Sequence, residues 1–109
     1  MRHLSKLILA CALVGCATAA PPPEPPKWQT QAEADIKAAQ AAGAEQIPAA
    51  QDHLAKAQKA LAAAIANKSS LQGSMASAEA SLAKNLAREA KAKADLTAAI
   101  NQLNALKAQ

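Results

Sequence analysis

The side chains able to do covalent or metal chemistry in these 109 residues are few: two cysteines, two histidines and eight carboxylates. A structural or catalytic zinc ion needs three or four convergent Cys, His or carboxylate ligands. His53 is the one histidine beyond the first three residues and has no cysteine partner near it, so no typical zinc site is expected. Glu45 and Asp52 flank a short connector and read as solvated charges at a turn and a helix start, where the helix dipole favours anions. No serine has an identifiable base, and no glycine-rich phosphate loop occurs. The pattern points away from an enzyme, from a bound cofactor and from a small-molecule substrate. What remains is Cys16, in LVGCATAAPPPEPPKW (residues 13 to 28), a thiol at the end of an apolar run and just ahead of a proline thicket.

The surroundings of Cys16 define its use. MRHLSK, residues 1 to 6, carries Arg2 and Lys6, and the apolar stretch LILACALVG follows it. A basic start and a short apolar segment make a secretory leader, because a bilayer span needs about 20 apolar residues. Leu13, Val14, Gly15 and Cys16 resemble the lipobox of bacterial lipoproteins, where a small residue precedes the cysteine that becomes the new N-terminus. That resemblance implies cleavage after Gly15, a thioether-linked diacylglycerol on Cys16 and acylation of the freed amine. Cys11 is a weaker candidate, since Leu9 and Ala10 make a poorer box and four residues separate it from Lys6. Cleavage would discard Cys11 and acylation would consume Cys16, leaving neither a disulfide nor a free thiol. The covalent lipid is then the one non-protein group expected. Two or three acyl chains bury enough CH₂ groups, at about 0.8 kcal/mol each, for lasting attachment. Ala17 stands where an Asp would signal inner-membrane retention in the enterobacterial class, so the same resemblance implies the outer membrane and its periplasmic face.

The prolines then form a stand-off. Pro21, Pro22, Pro23, Pro25 and Pro26 lack backbone donors and favour polyproline II, which rises about 3.1 Å per residue. From Cys16 to Trp28 such a linker reaches about 35 Å. Three parts follow: 1–15 as signal peptide, 16–28 as lipidated cysteine and linker, and 29–109 as an alanine-rich helical domain.

Composition supports that last assignment. Alanine makes up about 30% of the chain, Trp28 is the lone aromatic residue, and strand formers are scarce. This is a helical composition, and any core must be built from Leu, Ile and Ala. The net charge of +4 includes Arg2 and Lys6; without them ten basic residues face eight acidic ones, leaving +2. With no long basic run and no interleaved aromatics, nucleic acid is not an expected partner.

The breakers divide the helical region. QTQAEADIKAAQAAG predicts a first helix ending at Gly43, with Thr30 as N-cap and Glu33 completing a capping box. Pro48 suits the first turn of a second helix and pushes Ile47 out of the α region, so that helix runs from about Pro48 to Lys68. NKSSLQGS, with Gly73, predicts a second break, after which Ser74 caps a third helix reaching about Lys107.

Apolar residues keep a heptad rhythm in both later helices. Ile47, Ala50, Leu54, Ala57, Leu61 and Ala64 mark one stripe; Met75, Leu82, Leu86, Leu96, Ile100 and Leu103 mark the other. The second stripe is interrupted by a Glu89 and Lys93 pair at i, i+4. Two such stripes are expected to pack face to face. The fold expected is all-α, a long antiparallel helical hairpin with a broken first arm, three helices in total; three short bundled helices are the alternative. From Trp28 onward there are 14 large apolar side chains, few for ordering about 80 residues, so self-association or a partner is expected.

The stretch AEADIKAAQAAGAEQIPAAQDHLAKAQKALAAA, residues 32 to 64, resembles a domain-of-unknown-function family numbered 4398, found in small proteobacterial lipoproteins and envelope proteins. Ala42, Gly43, Ala44, Glu45, Gln46, Pro48, Leu54, Ala57, Lys59 and Leu61 carry the resemblance. Ile47 departs from it, since the family often has an aromatic there. The resemblance implies a helical layout and an envelope location, and no activity. In its plan of anchor, heptads and high alanine the chain is also similar to murein lipoprotein, but Lys107 is followed by Ala108 and Gln109, so covalent attachment to peptidoglycan is not expected.

Taken together, the residues predict a non-enzymatic outer-membrane lipoprotein whose periplasmic helical arm is a spacer or an interaction element. Its partners would be the membrane, through Cys16, and itself or another envelope protein, through Leu54, Leu61, Leu82, Leu86, Leu96, Ile100 and Leu103. The rival readings are an accessory, chaperone-like adaptor of an envelope complex or of peptidoglycan, and a hydrophilin-like stress protectant.

Overall fold

A computed structural model describes residues 21–109. Gly15 and Cys16, with the cleavage and lipidation expected there, lie outside the described residues. The chain within them is all-α, as expected, and built from three helices: α1 (Lys27–Ala41), α2 (Pro48–Asn67) and α3 (Ser70–Lys107), with a single 3₁₀ turn (Ala44–Gln46) between the first two.

Helix α1 starts earlier than its sequence suggests. Pro26 holds φ −60° and ψ 151°, and its carbonyl accepts from the N–H groups of Gln29 and Thr30 at 3.0 and 3.2 Å. The last proline of the linker therefore opens the helix directly, and the extra turn carries Trp28 onto the bundle. Thr30 is not the N-cap: its hydroxyl donates to the Lys27 carbonyl at 3.0 Å. Glu33 makes no capping box, accepting instead from the Gln29 side-chain amide at 3.0 Å.

The first break forms as the residues dictate. Gly43 takes φ 91° and ψ 21°, a left-handed conformation that costs glycine nothing, and its N–H closes on the Gln40 carbonyl. Ile47 is extended at φ −111° and ψ 113° ahead of Pro48, which opens α2. The break turns the chain through a full reversal. Trp28, at the start of α1, lies on Gly73, near the start of α3, while the end of α1 lies beside Arg88 and Lys91. Thus α1 runs parallel to α3, and α2 runs antiparallel to both. The first arm is broken and folded back on itself, so α1 and α2 lie side by side against the first half of α3, not end to end along its whole length.

The second break differs from its expected form. Lys68 itself adopts the left-handed conformation, at φ 52° and ψ 44°, and the Ser69 N–H closes on the Ala64 carbonyl at 2.9 Å. Ser69, not Ser74, caps the third helix, its hydroxyl accepting from the Gln72 N–H at 3.2 Å. Gly73 sits inside α3 as a buried helical residue rather than as a breaker. Its role is room. A Cβ there would lie 2.5 Å from Cε3 of Trp28, a distance at which something must shift.

The core is made mostly of alanine. Ala32, Ile36 and Ala39 of α1, Ala44 of the turn, Ala50, Leu54, Ala57 and Ala64 of α2, and Ala76, Ala80, Ala83 and Ala87 of α3 are buried. Small side chains along a seam let helix axes approach closely, which keeps the packing dense although little area is buried per residue. In α2 the buried set follows the expected register. In α3 it is displaced by one residue, to 76, 80, 83 and 87 in place of 75, 79, 82 and 86. Two helices converge on this side of α3, and the side with alanines at every seam position admits both.

Candidate functional site

The expected interaction stripe is split by the fold into a covered and an uncovered part. Leu54 is buried in the core, and Leu61 and Leu86 are half-buried against it, so these three hold the bundle together. Leu82 is 42% exposed on the outer flank of α3. Leu96, Ile100 and Leu103 all lie beyond the bundle. From Lys91 onward every residue of α3 is exposed, so helix 92–107, about 24 Å long, projects past the end of α1 and α2.

This projecting half is two-faced. At about 100° per residue, Ala87 of the internal seam and Leu96 point to opposite sides of the helix. The seam side continues outward as Ala90, Ala94, Ala98 and Ala105. The opposite side carries Leu96, Ile100 and Leu103, with Leu106 on its flank, all between 48% and 66% exposed. Among the described residues nothing covers them. Leu106 belongs to this surface although the heptad count omits it, because it falls beside the stripe rather than on it.

Local interactions keep the projection helical. Lys93 pairs with Glu89 at 2.9 Å and Lys91 with Asp95 at 2.8 Å, both at i, i+4, and the Thr97 hydroxyl donates to the Lys93 carbonyl at 3.0 Å. Glu89 titrates below the usual carboxylate range, first because Lys93 donates to its carboxylate and second because of the charge on Lys93. Five alanines and three leucines between residues 92 and 107 add favourable helix propensity.

The other chemistry-bearing residues are placed as packing and surface groups. His53 Nδ1 lies 2.6 Å from Glu79 Oε2, joining α2 to α3 from a half-buried position rather than facing solvent alone. Asp52 pairs with Lys56 at 3.0 Å within α2, and Glu45 accepts from the Gln40 side chain at 3.1 Å. Among the described residues no group of three or more His, Cys, Asp or Glu could hold a metal ion, and no helix is long and apolar enough to cross a membrane. A shallow apolar groove between α1 and α2 is floored by Ile36, Leu61 and Ile65, with Glu33, Lys37 and Gln40 along one side. No protein-family model, no curated protein and no solved structure matches this chain.

Proposed function

We propose that this chain is a non-enzymatic lipoprotein of the outer membrane, anchored through Cys16 and standing in the periplasm, whose helical arm spaces or joins envelope components. The observation that carries this reading is the uncovered half of α3. A helix that runs 16 residues past its bundle adds nothing to its own core, yet it bears a regular row of Leu and Ile. Such a row in water is a surface for another chain.

The layout supports an arm. The proline linker enters at Trp28, at the end of the bundle opposite the projection, so an anchor at Cys16 would hold the bundle at the membrane side and point the Leu/Ile face away from it. The resemblance of residues 32–64 to domain-of-unknown-function family 4398 favours the envelope. An adaptor for a larger envelope complex would use the same face, so the identity of the captured chain separates a joining spacer from an adaptor.

Cys16→Ala tests the anchor. Membranes separated from soluble periplasm should hold the parent protein and lose the variant; a variant that stays with the membranes refutes the lipid anchor. A photo-crosslinking residue at Leu96 in living cells tests the arm. An adduct with any protein chain is the expected result, and the absence of every adduct refutes an interaction role for this face.

A further inference from the structure

We infer that the partner of the projecting half of α3 is a second copy of the same helix, packed antiparallel about a two-fold axis at Ala98. This inference rests on the reading of the projection as an interaction arm and names its occupant. Register and charge select this pairing. The heptad positions of the projection and of its root are Glu89, Lys93, Leu96, Ile100, Leu103 and Lys107.

A parallel, in-register pair would set Glu89 against Glu89, Lys93 against Lys93 and Lys107 against Lys107, a like-charge contact in three of six layers. An antiparallel pair centred on Ala98 removes all three. Leu96 then meets the partner's Ile100, and Ile100 meets the partner's Leu96. Outside them, Leu103 meets the aliphatic stem of the partner's Lys93, whose ammonium is already held by Glu89 at 2.9 Å. At each end Glu89 faces the partner's Lys107, so both charges left on the seam are matched to opposites. The flanks are compatible with this register: on one side Ala99 lies beside the partner's Ala99 near the axis and Leu106 beside the partner's Ala92, and on the other Thr97 lies beside the partner's Thr97 and Asn104 beside the partner's Ala90.

The bundle does not obstruct the pairing. The overlap of residues 89 to 107 spans about 28 Å and ends at the level where α1 and α2 stop. Those helices pack on the alanine side of α3, opposite Leu96. The interface is isologous and closes on itself, so it yields a dimer and not a filament.

Cysteine pairs in the full chain read the register. With mild oxidation, Lys93→Cys/Leu103→Cys should give a covalent dimer at least tenfold above either single variant and above the parent chain. Glu89→Lys should lower that yield at least threefold, and Glu89→Lys/Lys107→Glu should restore it, since the swap rebuilds the end contacts with reversed sign. Helical circular dichroism checks that each variant folds. A dimer from Leu103→Cys alone means parallel packing and overturns the inference, as does a yield from the double variant no higher than the singles. A photo-crosslinker at Ile100 that captures a different protein and no second copy also overturns it, while leaving the interaction arm standing. No adduct of any kind from Ile100 overturns both.

Discussion

Trp28, in the first turn of α1, lies across Gly73, in the first turn of α3, with the ring where a side chain on residue 73 would be. The contact joins the end of the proline linker to the helix that carries the interaction face. It also explains why a glycine is present inside a helix, where it costs about 1 kcal/mol relative to alanine.

Gly73→Ala should therefore destabilise the bundle although it raises helix propensity. The new Cβ would stand 2.5 Å from Cε3, 3.0 Å from Cδ2 and 3.4 Å from Cβ of Trp28, so the ring cannot escape by a small tilt. We expect a loss of about 1–2 kcal/mol in urea unfolding, with a red shift in Trp28 fluorescence as the ring moves into water. In a Trp28→Ala background the same change should stabilise by about 0.5–1 kcal/mol, because only the propensity term is left. Equal effects in the two backgrounds would refute the contact.

The register of α3 gives a second test. Ala80→Leu inserts three extra carbons into the seam beside α2 and should cost about 1–3 kcal/mol. Leu82→Ala removes a side chain that is 42% exposed, and should change stability by less than about 1 kcal/mol. A large loss for Leu82→Ala and a small one for Ala80→Leu would restore the leucine register to the core.

That displacement marks the limit of what the residues disclose by inspection. The helix count, the Gly43 and Pro48 connector and the α2 register were legible, since each rests on a local rule: left-handed glycine, pre-proline restriction, heptad spacing. The seam of α3 was not, because counting large apolar residues assumes that the bulkiest stripe turns inward. Where two helices crowd a third, the smallest stripe turns inward and the bulkier one is left outside. Gly73 misled for a related reason: a glycine reads as a break when its neighbour in space, 45 residues away, is unknown. Ser69 and Ser74 are equal as caps by type, and Lys68 in the left-handed region decides between them.

Acid should weaken the Glu89–Lys93 pair at the root of the projection. The carboxyl of Glu89 is held below its usual range by Lys93, so its folded-state value is the depressed one. Its contribution to helicity is then fully present above the unfolded carboxylate range, near pH 4.3, and is lost as pH falls through the lower folded value. Circular dichroism of the parent chain and of Glu89→Gln should differ at neutral pH in low salt and converge in acid, once the pH is below the lowered value of Glu89. The gap should also shrink at about 1 M salt, where exposed charges are screened within about 3 Å. A gap that persists in acid would assign the difference to something other than this ion pair.

Truncation after Lys91 separates folding from the proposed function most directly. Every buried side chain of α3 lies at or before Ala87, so removing residues 92–109 deletes no core contact. The lost segment gives α1 and α2 nothing to pack on, and the covered turns of α3 keep both partners. We expect the shortened chain to keep its bundle, with a thermal midpoint within about 3 °C of the parent at a dilution where the parent is monomeric, because a loss of even 1 kcal/mol would move a domain of this size by about 4–8 °C. Helical signal should fall in proportion to the residues removed. A midpoint lowered by 10 °C or more would mean that the projection folds back onto the bundle or stabilises it through a second copy at the working concentration. Repeating the melt at a hundredfold dilution tells these apart, since only the second depends on concentration. If the midpoint holds, Leu96, Ile100, Leu103 and Leu106 are retained for something other than the stability of this chain's own fold.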